Sequence, residues 1–203
     1  MSDRYPIPAG EHRVSEEISR SRFITIAGRA GNTGEAQAFI AGIREEFPDA
    51  THHCWAYLCG PPGSSGQVGM SDDGEPHGTA GRPMLHVLSH CGLGDVVAVV
   101  VRYYGGTKLG KGGLVRAYSH GVQQVTEHMP RVEKVTRTRL RVHLGYADIK
   151  GFQRLVGVHE VTVEAEDYGE MVDYCLAVPQ DGLSSFLNAL EDLTQGKARV
   201  EEP

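Results

Sequence analysis

With 203 residues, 40% of them hydrophobic and 23% charged, the chain lies near the globular average and outside the polar, charge-heavy range of disordered sequences. A formal charge of −6 excludes a uniformly basic nucleic-acid binder. The longest apolar run, Val96 to Val101, falls far short of the roughly 20 residues that cross a membrane, and the opening MSDRYPIPAGEHR holds no apolar signal core, so a cytoplasmic protein without a membrane partner is expected.

The pattern predicts an extended segment over residues 14–28, where Phe23, Thr25 and Ala27 alternate against Ile24 and Ile26. Thr33 is the expected cap of a helix over 35–47, with Ala36, Phe39, Ile40 and Ile43 at helical spacing and Pro48 closing it. A strand is expected over 51–58, and the run GPPGSSGQVG behind it reads as a surface loop. After SDDGEPHGTAGRP comes a short helix over 83–89, because proline suits a first helical turn. Residues 96–104, β-branched and apolar nearly throughout, read as a central strand buried on both faces. The glycine loop GGTKLGKGG follows, then a helix over 114–128 with Val115, Tyr118, Val122 and Val125 on one stripe.

Residues 130–134 read as a polar link between two domains, 1–134 and 135–203. Beyond it, strands are expected over 136–144, 158–166, 170–178 and 198–202, with helices over 149–156 and 183–193. Strand, helix, strand, strand, helix, strand is the ferredoxin-like plait order, and Tyr168 and Gly169 supply the turn between its middle strands. The expected class is α+β.

Charge is unevenly placed. Residues 1–136 hold 13 basic and 14 acidic groups, a net of −1, while 137–203 hold 7 and 12, a net of −5. Between Asp95 and Glu127 no acidic residue occurs, yet Arg102, Lys108, Lys111 and Arg116 all fall there. That window is a local positive field on a mildly acidic chain.

Within it, Gly105, Gly106, Gly110, Gly112 and Gly113 free the main chain to present N–H groups to an anion, and the helix behind aims its positive dipole end at the same place. The alternative use of these glycines is tight strand-to-helix packing. Gly105-x-x-x-x-Gly110-Lys111 matches most of a Walker A loop, but Gly112 stands where the magnesium-binding hydroxyl belongs. No catalytic motif is complete, and an enzyme is not the first expectation. The second loop sets Asp72, Asp73, Glu75 and His77 within six positions. Such a cluster can hold a hard cation, do acid–base work, or be a solvated turn; its acids can also pair with Arg102 or Lys108, which makes both loops parts of one site. Tyr103, Tyr104 and Trp55 offer rings for stacking, although adjacent strand residues face opposite ways. Cys54, Cys59, Cys91 and Cys175 form no C-x-x-C pair, and Cys54 and Cys59 near His52 and His53 supply only half a zinc site. Reduced thiols, no metal and no cofactor are expected.

Four segments, SRFI at 21–24, HHCWAY at 52–57, SDDGEPHGTAGRP at 71–83 and VVRYYGGTKLGKGGLVRAYS at 100–119, together strongly resemble the YigZ/IMPACT family over about residues 18–128. The resemblance implies a first domain that is an α/β sandwich related to a domain of a small-subunit ribosomal protein and to domain IV of elongation factor G. It also implies a ferredoxin-like second domain, as bacterial members carry. Elongation factor G joins the same two fold types in the same order, and eukaryotic relatives act in translational control through a protein partner, using an extra N-terminal module. The chain departs from the family at His77, where a small residue is common, and at Lys111. The expectation is therefore a protein that binds RNA or the ribosome through the basic glycine loop, in translation or its regulation. Alternatives are an enzyme on a phosphorylated small molecule or nucleotide, and a protein-interaction module.

Overall fold

The computed structural model describes residues 3–201. They form two compact units that divide between Lys134 and Val135. The first is built on a five-stranded antiparallel sheet of β2 (His12–Ile18), β3 (Ser21–Arg29), β4 (His52–Cys59), β5 (Gln67–Ser71) and β6 (Val96–Tyr103), in the order β2-β3-β6-β4-β5. Strand β6 lies at the centre, and Val96 to Val101 are all buried. Alternation sends Val97, Val99 and Val101 to one face, where Ile40 and Ile43 of α1 (Thr33–Glu46) cover them. Val96, Ala98 and Val100 face the other way, toward Met84 and Leu88 of α2 (Gly81–His90) and Tyr118 and Val122 of α3 (Gly110–His128).

Several boundaries differ from the sequence expectation, each for a local reason. The segment over 14–28 is two strands, because Ser19 and Arg20 both take left-handed φ angles of 49° and 65° and turn the chain without a glycine. Asn32, not Thr33, caps α1: its side-chain oxygen accepts from the Glu35 N–H at 2.9 Å, and the Glu35 carboxylate accepts from Gly31 N–H in return. Gln67 to Gly69 leave the expected loop and, with Met70 and Ser71, pair with β4 as an exposed edge. The supposed polar link is β7 (Arg131–Val135), which pairs with β1 (Arg4–Pro8) in a small two-stranded sheet. Helix α3 begins at Gly110, so Lys111, Gly112 and Gly113 belong to its first turn and not to a loop.

The second unit runs β8 (Arg137–Leu144), α4 (Ile149–Val158), β9 (Thr162–Tyr168), β10 (Val172–Pro179), α5 (Leu183–Thr194) and β11 (Arg199–Glu201). Its strand order β11-β8-β10-β9, antiparallel throughout, is the ferredoxin-like arrangement. Leu140, Val142, Tyr174 and Leu176 meet Phe152 of α4 and Phe186 and Leu190 of α5 in one core.

Asp95 ties the first unit together just before β6. It is fully buried, accepts from Gly60 N–H at 2.7 Å and from the Tyr5 hydroxyl at 3.4 Å, and pairs with Lys134 of β7. Replacing it strands a cation and a backbone donor at once. Asp95→Ala is expected to lose about 3 kcal/mol in urea unfolding, the low end for breaking a buried pair because Lys134 keeps partial access to water.

Candidate functional site

Sheet register builds the site before any loop arrives. Phe23 of β3 pairs with Arg102 of β6, and Arg102 with His52 of β4, so these three form the last cross-strand row beneath α3. Arg102 continues the buried alternation of Val96, Ala98 and Val100 and is only 4% exposed. Of the four basic residues in the acid-free window, it is the one that is buried, while Lys108, Lys111 and Arg116 are exposed.

A buried guanidinium needs a partner, and the acidic loop supplies it. Glu75, also buried, accepts from Arg102 Nη1 at 2.5 Å and from the Tyr118 hydroxyl at 2.8 Å, both on Oε1. Arg102 Nη2 donates to Ser21 Oγ at 3.3 Å, and its Cζ lies over both the Phe23 and Tyr104 rings, 5.2 and 5.4 Å from their centroids. Arg102 Nε is buried and has no acceptor among the described residues. Burial, reinforced by the neighbouring Cys54 and Glu75, drives the Tyr118 phenol well above its ordinary range, so it stays protonated and donates. Burial likewise pushes the Cys54 thiol up; un-ionised and 2.9 Å from the Asp72 carbonyl oxygen, it is a packing group and not a nucleophile.

The remaining members of the acidic loop do other work. Asp72 accepts from the N–H groups of Gly78, Ala80 and Gly81 at 2.8, 3.0 and 2.9 Å and so anchors the start of α2. Asp73 takes Arg44 Nη2 and the His53 N–H, at 2.9 and 2.7 Å. His77 is fully exposed, 3.7 Å from Asp72. Among the described residues, no group of three or more His, Cys, Asp or Glu side chains is arranged to hold a metal ion.

Above the Arg102–Glu75 pair lies a cavity of about 470 Å³ whose wall includes both residues, His52, Tyr104, Lys108 and Lys111. The Asp73 carbonyl 2.8 Å from His52 Nδ1 can only accept, which fixes the proton on that nitrogen and leaves Nε2 free, 4.0 Å from Glu75. Lys108 also borders a second cleft of about 680 Å³ with Arg116 and His120, so the expected basic set straddles the end of α3 and does not share one pocket. His52, Ser21 and Tyr118 were not among the expected site residues; only strand register, hidden in the sequence, brings the first two to Arg102.

The glycines divide by role. A Cβ on Gly105 would sit 1.8 Å from the Arg20 carbonyl oxygen, so close packing on the β2–β3 turn, and not against a helix, fixes that position. Gly110, at φ +70°, opens α3 in a conformation that side chains resist.

Two family models match the chain: the Impact N-terminal domain over residues 19–126 and a domain of unknown function, DUF1949, over 142–197. The chain is 41% identical to the IMPACT family member YigZ of Escherichia coli, over 96% of this chain and 95% of that protein. It is 36% identical to the IMPACT family member YvyE of Bacillus subtilis, over 96% and 88% of the two chains. A crystal structure described as that of a hypothetical protein is similar to the whole chain, with a TM-score of 0.75, 39% identity and coverage of 100% and 98%. The chain belongs to the IMPACT family.

Two outcomes follow for stability. Glu75→Leu leaves Arg102 buried without its counter-charge and is expected to lose about 3–5 kcal/mol in urea unfolding, most of which returns when Arg102→Met is added. Although burial alone would raise it, the Asp72 carboxyl is held below the ordinary range by the Gly78, Gly81 and Ala80 N–H groups. Its contribution is therefore complete above the unfolded value of about 4 and is lost as pH falls through the lower folded value. Acid titrations of stability should show the gap between wild type and Asp72→Asn closing below pH about 4.

Proposed function

We propose that this member of the IMPACT family binds RNA or the ribosome through the basic end of α3, in the cytoplasm, in translation or its regulation. One observation carries the reading: Lys108, Lys111 and Arg116 are exposed around the start of α3, and none makes an ion pair among the described residues. No acidic residue lies between Asp95 and Glu127, and the one carboxylate that the described residues bring to the cavity from elsewhere, Glu75, is neutralised by Arg102. Helix N–H groups and free cations together favour a phosphate. The family resemblance, with translation as the setting of its eukaryotic members and of elongation factor G, supports the choice of RNA over other polyanions.

A second reading, an enzyme on a phosphorylated small molecule or nucleotide, draws on the free Nε2 of His52 beside Glu75. It ranks below because Gly112 replaces the hydroxyl that a Walker A loop uses for magnesium. A protein partner in translation control is compatible with the first reading and needs no separate site.

Single-stranded binding releases condensed counterions, with a log–log salt slope of about −0.7 per phosphate contact, so three exposed cations set a limit near −2. Titration of labelled single-stranded RNA at several salt concentrations should approach that slope. Lys108→Glu with Lys111→Glu should weaken binding across sequences and flatten the slope, without unfolding the protein, since both side chains are exposed. Unchanged affinity in the double variant would remove RNA from this surface.

A further inference from the structure

The cavity over the Arg102–Glu75 pair is more than a charged patch, and its chemistry is two-sided. One wall is apolar and aromatic, from Leu114 and Tyr104; the mouth carries Lys108 and Lys111 at the start of α3. Its volume of about 470 Å³ lies in the usual ligand range of about 300–1,000 Å³. A bare phosphate needs no such wall, and an apolar ligand needs no such cations. The floor adds a third requirement. Glu75 Oε1 takes both the Arg102 and Tyr118 bonds, while Oε2 makes none with a described residue, and Glu75 lines the cavity. Arg102, more than nine-tenths buried, still has an Nε–H without an acceptor among the described residues. The floor thus offers an unused carboxylate oxygen beside a guanidinium whose charge balances it.

We propose that this cavity seats a single nucleotide unit with an amino-bearing base. The inference deepens the RNA reading and rests on it for the source of the nucleotide. The ring lies against Tyr104, which is 45% exposed and whose backbone N–H is fixed by Thr51 Oγ1 at 3.1 Å. The base presents an N–H to Glu75, and the phosphate meets Lys108, Lys111 and the first N–H groups of α3. Adenine, cytosine and guanine each carry an exocyclic amine that a carboxylate can accept from. Uracil offers one ring N–H between two carbonyl oxygens, which a carboxylate repels. In an RNA strand the neighbouring phosphates then run over Lys108 toward Arg116 in the adjoining cleft.

Calorimetric titration of the full chain with AMP, CMP, GMP, UMP, ribose 5-phosphate and inorganic phosphate tests the site directly. At least one amino-bearing nucleotide should saturate at millimolar concentration or below, ahead of UMP, with both base-free phosphates weaker still. Tyr104→Ala should weaken that nucleotide by about 5- to 150-fold, the usual range for one stacked base, and Tyr104→Phe should restore it. Equal binding of nucleotides and inorganic phosphate, or full affinity in Tyr104→Ala with its fold intact by circular dichroism, would overturn the proposal. Labelled RNA separates the sources. Displacement of RNA by the preferred mononucleotide supports an RNA nucleotide in the cavity. Mononucleotide binding without any RNA binding keeps the cavity, as a free-nucleotide site, and sinks the RNA reading. Salt-dependent RNA binding indifferent to Tyr104→Ala and to mononucleotide sinks the cavity and leaves the RNA reading standing.

Discussion

The first unit is organised by a buried charge pair at the end of its central strand. Strand β6 continues its inward alternation to Arg102, and a guanidinium in that position is costly unless its partner is buried with it. That demand reaches back through the chain. Glu75 can arrive only if the 72–80 loop folds over the sheet, and the loop is held there by Asp72, whose carboxylate gathers three N–H groups at the head of α2. Tyr118 then joins from α3 and Ser21 from β3. Two helices, two strands and one loop are fixed by a constraint that a leucine at 102 would remove.

The same constraint leaves the cavity open. An apolar residue at the end of β6 would close the core under α3, whereas Arg102 and Glu75 keep a polar floor that packing cannot fill. The four sequence segments that carry the family resemblance converge on this place: Ser21 and Phe23, His52 and Cys54, Asp72 and Glu75, then Arg102, Tyr104 and Gly105. Separated in sequence by up to 84 positions, as Ser21 and Gly105 are, they are neighbours because β6 runs between β3 and β4.

Strong periodicity was readable and geometry at a distance was not. The β-branched run at 96–101 announces a strand buried on both faces, and the second unit shows its plait order through alternation and turn residues alone. The Ser19–Arg20 turn left no trace, since neither residue is glycine or asparagine. Edge strands β1, β5 and β7 were equally silent, being only five residues long each. At the site, the sequence placed Glu75 within reach of Arg102 as one of several pairings, but gave no means to separate Glu75 from Asp72 and Asp73. Only burial does that: two of the three carboxylates satisfy backbone N–H groups, and one satisfies the guanidinium.

Charge, too, sorts by burial and not by composition. The formal −6 describes the chain as a whole, yet a ligand at the head of α3 responds to groups within about 8 Å, the screening length at physiological salt. Arg102 and Glu75 cancel each other there, and pairing has already spent them on the fold. What reaches solvent is Lys108, Lys111 and Arg116 with the unsatisfied N–H groups of a first helical turn. On the reading proposed above, a buried neutral pair beneath an exposed positive rim would set two separate selections on one ligand: the rim would take any phosphate, and the floor, with Tyr104 beside it, would decide what the phosphate must carry.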